Sequence, residues 1–264
     1  MAHFSKQDIA SFCENGYIIL ENMLTDSQIS AAQDALWKHI EADRSDTSTW
    51  INAGPRAPDC PDDPALRATL FDTPLFDMCK ELAGDLESEA GEAQDWNQTT
   101  HGRTSLTGPI LVYPTDNNAW SLQNPHLDGY GKPIQTSEGF TIGVTVYLND
   151  VKPKGGSFHL WPGSHKKIAD HFRTHSLLSF NQHHTKVKPG PLANTLGLGD
   201  PVELTGPAGT ACLWHGYMVH SGSTNCSEDI RMALISRIRW KHWDKVFFET
   251  PDDLWEYWEG ILPK

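Results

Sequence analysis

The stretch NPHLDGYG, at residues 124–131, places a histidine and an aspartate two positions apart, between a proline and a glycine-rich turn. Residues i and i+2 of a β-strand point to the same face of a sheet. His126 and Asp128 would therefore aim an imidazole and a carboxylate at one point, while Leu127 would face the core. Such a pair is either a surface turn without chemistry or part of a metal site, and a metal site needs a further ligand from elsewhere in the chain.

Two histidines further along the chain can supply that ligand. His215 and His220 both lie in the stretch WHGYMVHSGSTNCSEDIR. Two histidines and one carboxylate on a triangular face are typical of non-haem Fe(II) oxygenases, which keep the remaining metal positions open for co-substrates. The pattern therefore predicts an iron site whose third ligand is one of these two histidines.

An arginine helps to choose between them. If a dicarboxylate such as 2-oxoglutarate chelates the metal, its far carboxylate needs a bidentate, permanently charged partner, a role that suits arginine better than lysine. Arg231 follows His220 by eleven residues, enough for a strand end, a turn and entry into the next antiparallel strand. No arginine stands at that distance from His215, where the residue is Cys226. We therefore favour His220 as ligand and Arg231 as carboxylate partner.

The first hundred residues predict a mostly helical layer. Two capping boxes, Ser5 with Asp8 and Thr25 with Gln28, each open a helix, and the apolar run YIIL between them predicts a short buried strand. Residues 52–64 carry four prolines and predict a loop. The stretch LFDMCKELAG predicts a further helix that ends at its glycine.

From about residue 105 the chain predicts short strands between Gly, Pro and Asn turns, in the stretches GPILVYP, FTIGVTVYLND, GSFHLWPGS, VELTGPAGTACLWHG and RMALISRIRW. Evenly spaced short strands favour a sandwich or barrel. We predict a mainly β fold with α, a double-stranded β-helix (jelly-roll, cupin-like) core with an N-terminal helical layer. We expect a single domain over 1–264, divided into a helical layer, a core with one long insert, and a tail (1–104, 105–242 with insert 163–200, and 243–264).

Composition excludes several classes of partner. Lys and Arg number 21 against 34 Asp and Glu, and the net charge of −13 disfavours nucleic acid and anionic membranes. We find no apolar run long enough for a transmembrane helix, and the N-terminus lacks a signal-peptide pattern. The five cysteines form no CxxC pair, so we expect a cytoplasmic protein without disulfides. The sequence does not choose between a monomer and a homodimer.

At this point the motifs together resemble a known family. HLDG, GGSFHLWPGSHK and HSGSTNCSEDIR, in this order and preceded by FCENGYIILENMLTDSQI, resemble the phytanoyl-CoA dioxygenase (PhyH) family of Fe(II)- and 2-oxoglutarate-dependent oxygenases. The resemblance extends over roughly residues 5–240. It implies Fe(II) held by His126, Asp128 and His220, with 2-oxoglutarate and O2 as co-substrates. It also implies that the far carboxylate of 2-oxoglutarate binds Arg231, with Gln123 and Tyr113 near the same cosubstrate.

The resemblance implies oxidation of a C–H bond of a small-molecule substrate, with release of succinate and CO2. Hydroxylation is the default outcome, because Asp128 occupies the place that related halogenases leave to chloride; desaturation, cyclisation and epoxidation use the same chemistry. Two other classes stay open: a non-oxidative cupin-like binding or isomerase protein, and a zinc hydrolase with the same ligands. Arg237 or Arg239 can also replace Arg231.

Positive charge is concentrated in the segment 152–190, where basic residues greatly outnumber acidic ones. One interpretation is a solvated loop. The other is a rim of the barrel that attracts an anionic substrate, with three main contributors (Lys166, Lys167 and Arg173). His159 is expected to be a pocket wall or a core histidine, and three tryptophans are expected to contact substrate (Trp120, Trp161 and Trp240).

Overall fold

Two antiparallel β-sheets pack face to face in the computed structural model, which describes residues 2–60, 63–88, 107–117, 119–129, 139–175, 196–246 and 249–261. The larger sheet has the strand order β1-β6-β3-β8-β2, and the smaller sheet the order β5-β4-β7. The strands are β1 Tyr17–Leu20, β2 Thr107–Val112, β3 Ile142–Tyr147, β4 Phe158–Leu160, β5 Val202–Leu204, β6 Ala211–His215, β7 His220–Ser221 and β8 Arg231–Ile238.

The N-terminal helices form as their capping residues predict. Helix α1 (Lys6–Asn15) and helix α2 (Asp26–Trp37) both begin with a complete capping box, and α1 ends at Gly16 in the left-handed conformation. Helix α4 (Leu75–Ala83) is also present. Helix α3 (Pro64–Phe71) was not predicted, although it begins with an aspartate cap followed by a proline, a favourable helix start.

Alternation along the strands produces two separate apolar cores. In β8, Ala233 and Ile235 face the smaller sheet and pack with Phe158 and Leu160. The residues between them face the helices and join the larger core beneath α2, α3 and α4. The two antiparallel sheets, with the N-terminal helices packed on the larger one, confirm the predicted jelly-roll core with an N-terminal helical layer.

The predicted insert begins with a helix rather than a loop. Helix α5 (Ser164–Thr174) turns one apolar face, containing Ile168 and Phe172, toward Leu127 and Val219. This amphipathic spacing was overlooked among the basic residues of the segment. The rest of the insert, up to residue 195, lies outside the described residues. A short helix, α6 (Trp243–Val246), follows the last strand.

None of the helices in the described part of the chain has the length and apolar character needed to cross a bilayer.

Candidate metal centre

Backbone pairing brings the two predicted histidine ligands side by side. The amide of His126 donates to the carbonyl of His220 (3.0 Å), and the amide of His220 donates back (3.1 Å). The segment around His126 is therefore paired with β7. Leu127 and Val219 point the other way and pack under α5. The expected alternation therefore holds, with polar ligands on the inner face and apolar residues on the outer face.

Asp128 completes a compact cluster with these histidines. Among the described residues, His126, Asp128 and His220 are the one group whose potential ligand atoms all lie within 4.8 Å of one another. The carboxylate Oδ1 lies 3.4 Å from Nε2 of His126, and Oδ2 lies 3.5 Å from Nε2 of His220. The three side chains thus converge on one point, as a metal ion requires.

The hydrogen bonds behind the imidazole rings prepare both of them for a metal. Nδ1 of His126 lies 3.0 Å from the carbonyl of Asn124, and Nδ1 of His220 lies 3.0 Å from the carbonyl of Met218. A carbonyl oxygen only accepts, so each Nδ1 carries the proton and each Nε2 keeps its lone pair. Such backbone contacts to the second ring nitrogen are what metal-binding histidines need.

The protonation states suit the same role. Burial lowers the pKa of His220, which keeps its ring neutral. Burial opposes ionisation of Asp128, but the positive charge of Arg237, together with the two neighbouring imidazoles, holds the pKa of this carboxyl well below its usual value. Burial also acts against the charged form of His126, yet the contact with Asp128 raises its pKa, so protons compete more strongly with a metal for this ring as the pH falls.

Of the three side chains in the cluster, that of His126 is the most exposed. The side chain of His220 is 4% exposed and that of Asp128 is 18% exposed, whereas that of His126 is 51% exposed. Within the described residues, a ligand can therefore approach from the His126 side, while the His220 side is buried.

Aromatic rings form the closed wall. The ring of His220 lies 4.8 Å from the indole of Trp214 and 5.2 Å from the ring of Phe158. Gly143 on the neighbouring strand makes room for this indole, because a Cβ atom at that position would overlap it. Trp214 was not predicted for the site; its position on the inner face of β6, opposite a glycine, could have suggested it.

Arg231 lies inside the barrel, as predicted from its place on β8. It is 3% exposed, and its Nε and Nη1 atoms donate to the carbonyls of Gly156 (2.9 Å) and Ile110 (3.2 Å). Burial lowers the pKa of its guanidinium to about 10, so it remains charged at neutral pH. No carboxylate of the described residues is in salt-bridge distance of it. Arg237, considered as its replacement, contacts Asp128 instead.

A second guanidinium faces the same region and was not predicted. Nη1 of Arg56 donates to Oε1 of Gln123 (2.7 Å), and the charge of Arg56 acts on the pKa of Arg231. Gly222 lies against both side chains of the Arg56–Gln123 pair. Arg56 comes from the proline-rich loop at residues 52–64, which the family resemblance places among the pocket walls. The structure thus places Gln123 beside a cation, and its role toward the cosubstrate stays a prediction.

The remaining candidates lie elsewhere. Tyr113 packs in the core beneath the helices, and its hydroxyl donates to the carbonyl of Pro55 (3.2 Å); its role toward the cosubstrate stays a prediction. His215 stacks on Trp258 (4.8 Å) and is not part of the ligand cluster. His159 is a buried histidine with Nδ1 3.2 Å from the carbonyl of Ser157.

The three suspected tryptophans do not adjoin the ligand cluster. Trp120 contacts His159, and Trp161 belongs to the apolar cluster under α5. Trp240 is in the helix-facing core and donates to the carbonyl of Ala83 (2.7 Å). Their contact with substrate stays a prediction.

The basic residues of α5 lie behind the site rather than around its opening. The apolar face of this helix covers the outer side of the strands that carry the ligands, so its charged face points away from them. Lys166 pairs with Glu14 (2.8 Å), and Lys167 donates to the carbonyls of residues 196 and 197. Arg173 pairs with Asp170 (2.6 Å).

Comparison with known proteins agrees with this geometry. The model of the family described as Phytanoyl-CoA dioxygenase (PhyH) matches residues 12–233. A curated relative, the L-proline trans-4-hydroxylase of Streptomyces griseoviridis, is 30% identical over 155 residues, which covers 49% of this chain. The same match covers 54% of that protein, so the chain spans about half of its length.

Solved structures share the fold. HygX from Streptomyces hygroscopicus, with nickel and 2-oxoglutarate bound, matches with a TM-score of 0.58 and 13% identity, over 90% of this chain and 88% of its own. The non-heme alpha-ketoglutarate-dependent carbocyclase SnoK from nogalamycin biosynthesis matches with a TM-score of 0.57 and 18% identity, over 90% and 85%. At these identities the likeness is one of fold.

Proposed function

Because this chain belongs to the phytanoyl-CoA dioxygenase family, we propose that it is an Fe(II)- and 2-oxoglutarate-dependent dioxygenase that oxidises, by default hydroxylates, a C–H bond of a small molecule. Bound Fe(II), with 2-oxoglutarate and O2, supplies the oxidising chemistry and yields succinate and CO2. The observation that carries the proposal is a pair of features in one barrel. A three-residue metal cluster and a buried guanidinium without a carboxylate partner in the described chain lie between the same two sheets.

Each of these residues has a defined task. His126, Asp128 and His220 would hold the metal through two neutral nitrogens and one carboxylate, a donor set that suits Fe(II). Arg231 would receive the far carboxylate of 2-oxoglutarate, since a buried cation is costly until an anion joins it. Trp214 and Phe158 exclude water from the back of His220. A cupin-like binding or isomerase protein has no need of such a buried arginine.

Spectroscopy without oxygen tests the metal and cosubstrate together. We expect a visible charge-transfer band when 2-oxoglutarate is added anaerobically to the Fe(II)-loaded protein, and none with the His126→Ala variant. Admission of O2 should then release succinate. A zinc hydrolase would instead turn over with Zn(II) and without O2, and a binding protein would show neither response. Absence of the band in the wild-type protein would refute the proposal.

The substrate that we propose is an anionic small molecule. Arg231 would hold one end of a dicarboxylate and the metal site the other, which would leave the guanidinium of Arg56 as a further positive charge beside Gln123. A carboxylate on the substrate would pair with it. The curated relative is named for L-proline, which carries a carboxylate, and amino acids are therefore the first substrates to test.

A matched pair of arginine variants tests this assignment. Arg56→Gln should raise the KM for an anionic substrate by about tenfold or more, while the KM for the dicarboxylate cosubstrate changes by less than about twofold. Arg44→Gln, which removes a surface arginine paired with Asp34, should change neither value. A substrate KM that is the same in Arg56→Gln and wild type would exclude Arg56 from substrate binding.

Three further expectations complete the proposal. We infer that the chain acts as a single oxygenase domain, as a monomer or a homodimer, in the cytoplasm. The apolar contacts between the N-terminal helices and the larger sheet support the first of these. Size-exclusion chromatography with light scattering would determine the oligomeric state.

A further inference from the structure

An ion pair holds the carboxylate ligand of the candidate metal centre from a distant strand. Nε of Arg237 donates to Oδ2 of Asp128 (2.6 Å), and Nη2 of the same guanidinium contacts the same oxygen. The two side chains are only 16% and 18% exposed, so water competes weakly for this contact. The other carboxylate oxygen, Oδ1, faces Nε2 of His126 (3.4 Å). The two oxygens of Asp128 therefore have different surroundings.

The fold determines the position of Arg237. Arg237 lies three alternations after Arg231 on β8, on the same inner face, and its strand partner is Gly143. Gly143 in turn pairs with Trp214 on the next strand. Because the central residue of this row has no side chain, an indole and a guanidinium can approach from its two sides.

Aromatic contacts then keep the guanidinium in place. The guanidinium carbon of Arg237 lies 5.8 Å from the ring centre of Phe140, which suits a cation–π contact. Phe140 meets the indole of Trp214 edge to face (5.1 Å), and Trp214 packs on His220. The wall that supports one ligand, His220, is thus continuous with the residue that holds another, Asp128.

From this geometry we infer that Arg237 is a positioning residue that makes Asp128 offer one oxygen to the metal instead of two. A carboxylate can bind a metal through one or both oxygens. If both oxygens of Asp128 bound, they would occupy a position that the cosubstrates need. Two guanidinium nitrogens on Oδ2 prevent this and leave Oδ1 available. The inference rests on the proposed function, because it assumes a metal at the three-residue cluster.

The test requires metal-loaded protein without O2 and without turnover. Wild type, Arg237→Gln, Arg237→Lys and the control Arg239→Gln are loaded with Ni(II), and the binding mode of Asp128 is determined by crystallography. The dissociation constant for the cosubstrate, 2-oxoglutarate, is measured by calorimetry on the same samples. Arg239 is a matched control, since it lies at the same strand end but donates through Nε to the carbonyl of Gly139 (2.8 Å).

We expect one bound oxygen of Asp128 in wild type and Arg239→Gln, and two in Arg237→Gln. The dissociation constant for the cosubstrate should rise at least tenfold in Arg237→Gln and less in Arg237→Lys, which keeps the charge but not the two-nitrogen contact. One bound oxygen in Arg237→Gln, with a wild-type dissociation constant, would overturn the inference. If Arg237→Gln does not fold, Arg237→Lys provides the test. Two bound oxygens of Asp128 and a higher dissociation constant for the cosubstrate in that variant would support the inference, and wild-type values of both would overturn it.

Failure of the proposed function would look different. In that case wild-type protein itself would not bind 2-oxoglutarate, whether or not it binds Ni(II), and Arg239→Gln would give the same result. Failure of the positioning role alone would leave metal and cosubstrate binding intact in wild type and equal in all variants. The wild-type sample therefore separates the two outcomes.

Discussion

Replacement of Arg231 should change the stability of the ligand-free protein little, but should greatly reduce the stabilisation that bound 2-oxoglutarate provides. Burial lowers the pKa of this guanidinium from 12.5 to about 10. Since each pKa unit is worth about 1.36 kcal/mol, burial costs the charged form roughly 3 kcal/mol. The two hydrogen bonds to the carbonyls of Gly156 and Ile110 offset this by about 1 kcal/mol each. The side chain is 3% exposed, so little of the cost is relieved by water.

We therefore expect Arg231→Gln to change the free energy of unfolding of the ligand-free protein by no more than about 1 kcal/mol. The affinity for 2-oxoglutarate, in contrast, should fall strongly. Loss of one partner of a buried charge pair costs about 2–5 kcal/mol, which corresponds to a dissociation constant for the cosubstrate at least about thirtyfold higher. Thermal unfolding of Zn(II)-loaded protein, with and without 2-oxoglutarate, measures both quantities, because a ligand that binds the folded state raises Tm.

The surface variant Arg44→Gln serves as the control and should show the wild-type rise in Tm. Two results would contradict the reasoning. One is a ligand-free Arg231→Gln protein that loses several kcal/mol of stability, because the arginine would then be needed for folding. The other is an unchanged rise in Tm with 2-oxoglutarate, because the far carboxylate would then bind elsewhere.

Three further predictions follow from the same structure. Burial lowers the pKa of His165 from 6.5 to about 4, so the unfolded chain takes up this proton at a higher pH than the folded protein does. The free energy of unfolding should therefore fall as the pH drops from about 6.5 to 4, by roughly 3 kcal/mol from this residue. His165→Gln should therefore flatten the dependence of Tm on pH, and an equal slope would contradict this. Gly143→Val should displace the indole of Trp214, lower the free energy of unfolding by about 1–3 kcal/mol and weaken Ni(II) binding, whereas unchanged Ni(II) affinity would show that the wall does not support the site. Neutralising the basic residues of α5 (Lys166, Lys167 and Arg173) should leave the substrate KM unchanged. A higher KM would show that these residues attract the substrate after all.

The features that the sequence predicted correctly are those that depend on residues close together along the chain. The capping boxes at Ser5 and Thr25 fix helix starts through contacts three residues apart, and both formed. The spacing of His126 and Asp128 relies on strand alternation alone, and the structure keeps it. The distance from His220 to Arg231 spans the connection from β7 in the smaller sheet to β8 in the larger sheet. Each of these inferences needs only neighbours along the chain.

The site contacts that the sequence did not predict join distant segments of the chain. Arg56 meets Gln123 across 67 residues, and Arg237 meets Asp128 across 109 residues. Such pairs follow from how loops close over a sheet, which neither periodicity nor composition reveals. Trp214 belongs to the site because Gly143, on another strand, gives it room. The amphipathic spacing of α5 was visible in the sequence, but the basic residues suggested a different role.

The arginines give the site a positive charge although the chain as a whole is acidic. The chain as a whole carries a net charge of −13, yet the guanidinium groups of Arg231 and Arg237 are largely buried between the sheets, and Arg56, an exposed residue, lies beside Gln123. Arg237 is neutralised by Asp128, and the other two have no carboxylate partner in the described chain. Surface charges are screened within about 8–10 Å at physiological ionic strength, whereas buried ones are screened much less. The interior therefore attracts anions although the surface repels them. Two unpaired cations match a dicarboxylate cosubstrate with one end on the metal and a substrate that brings its own negative charge.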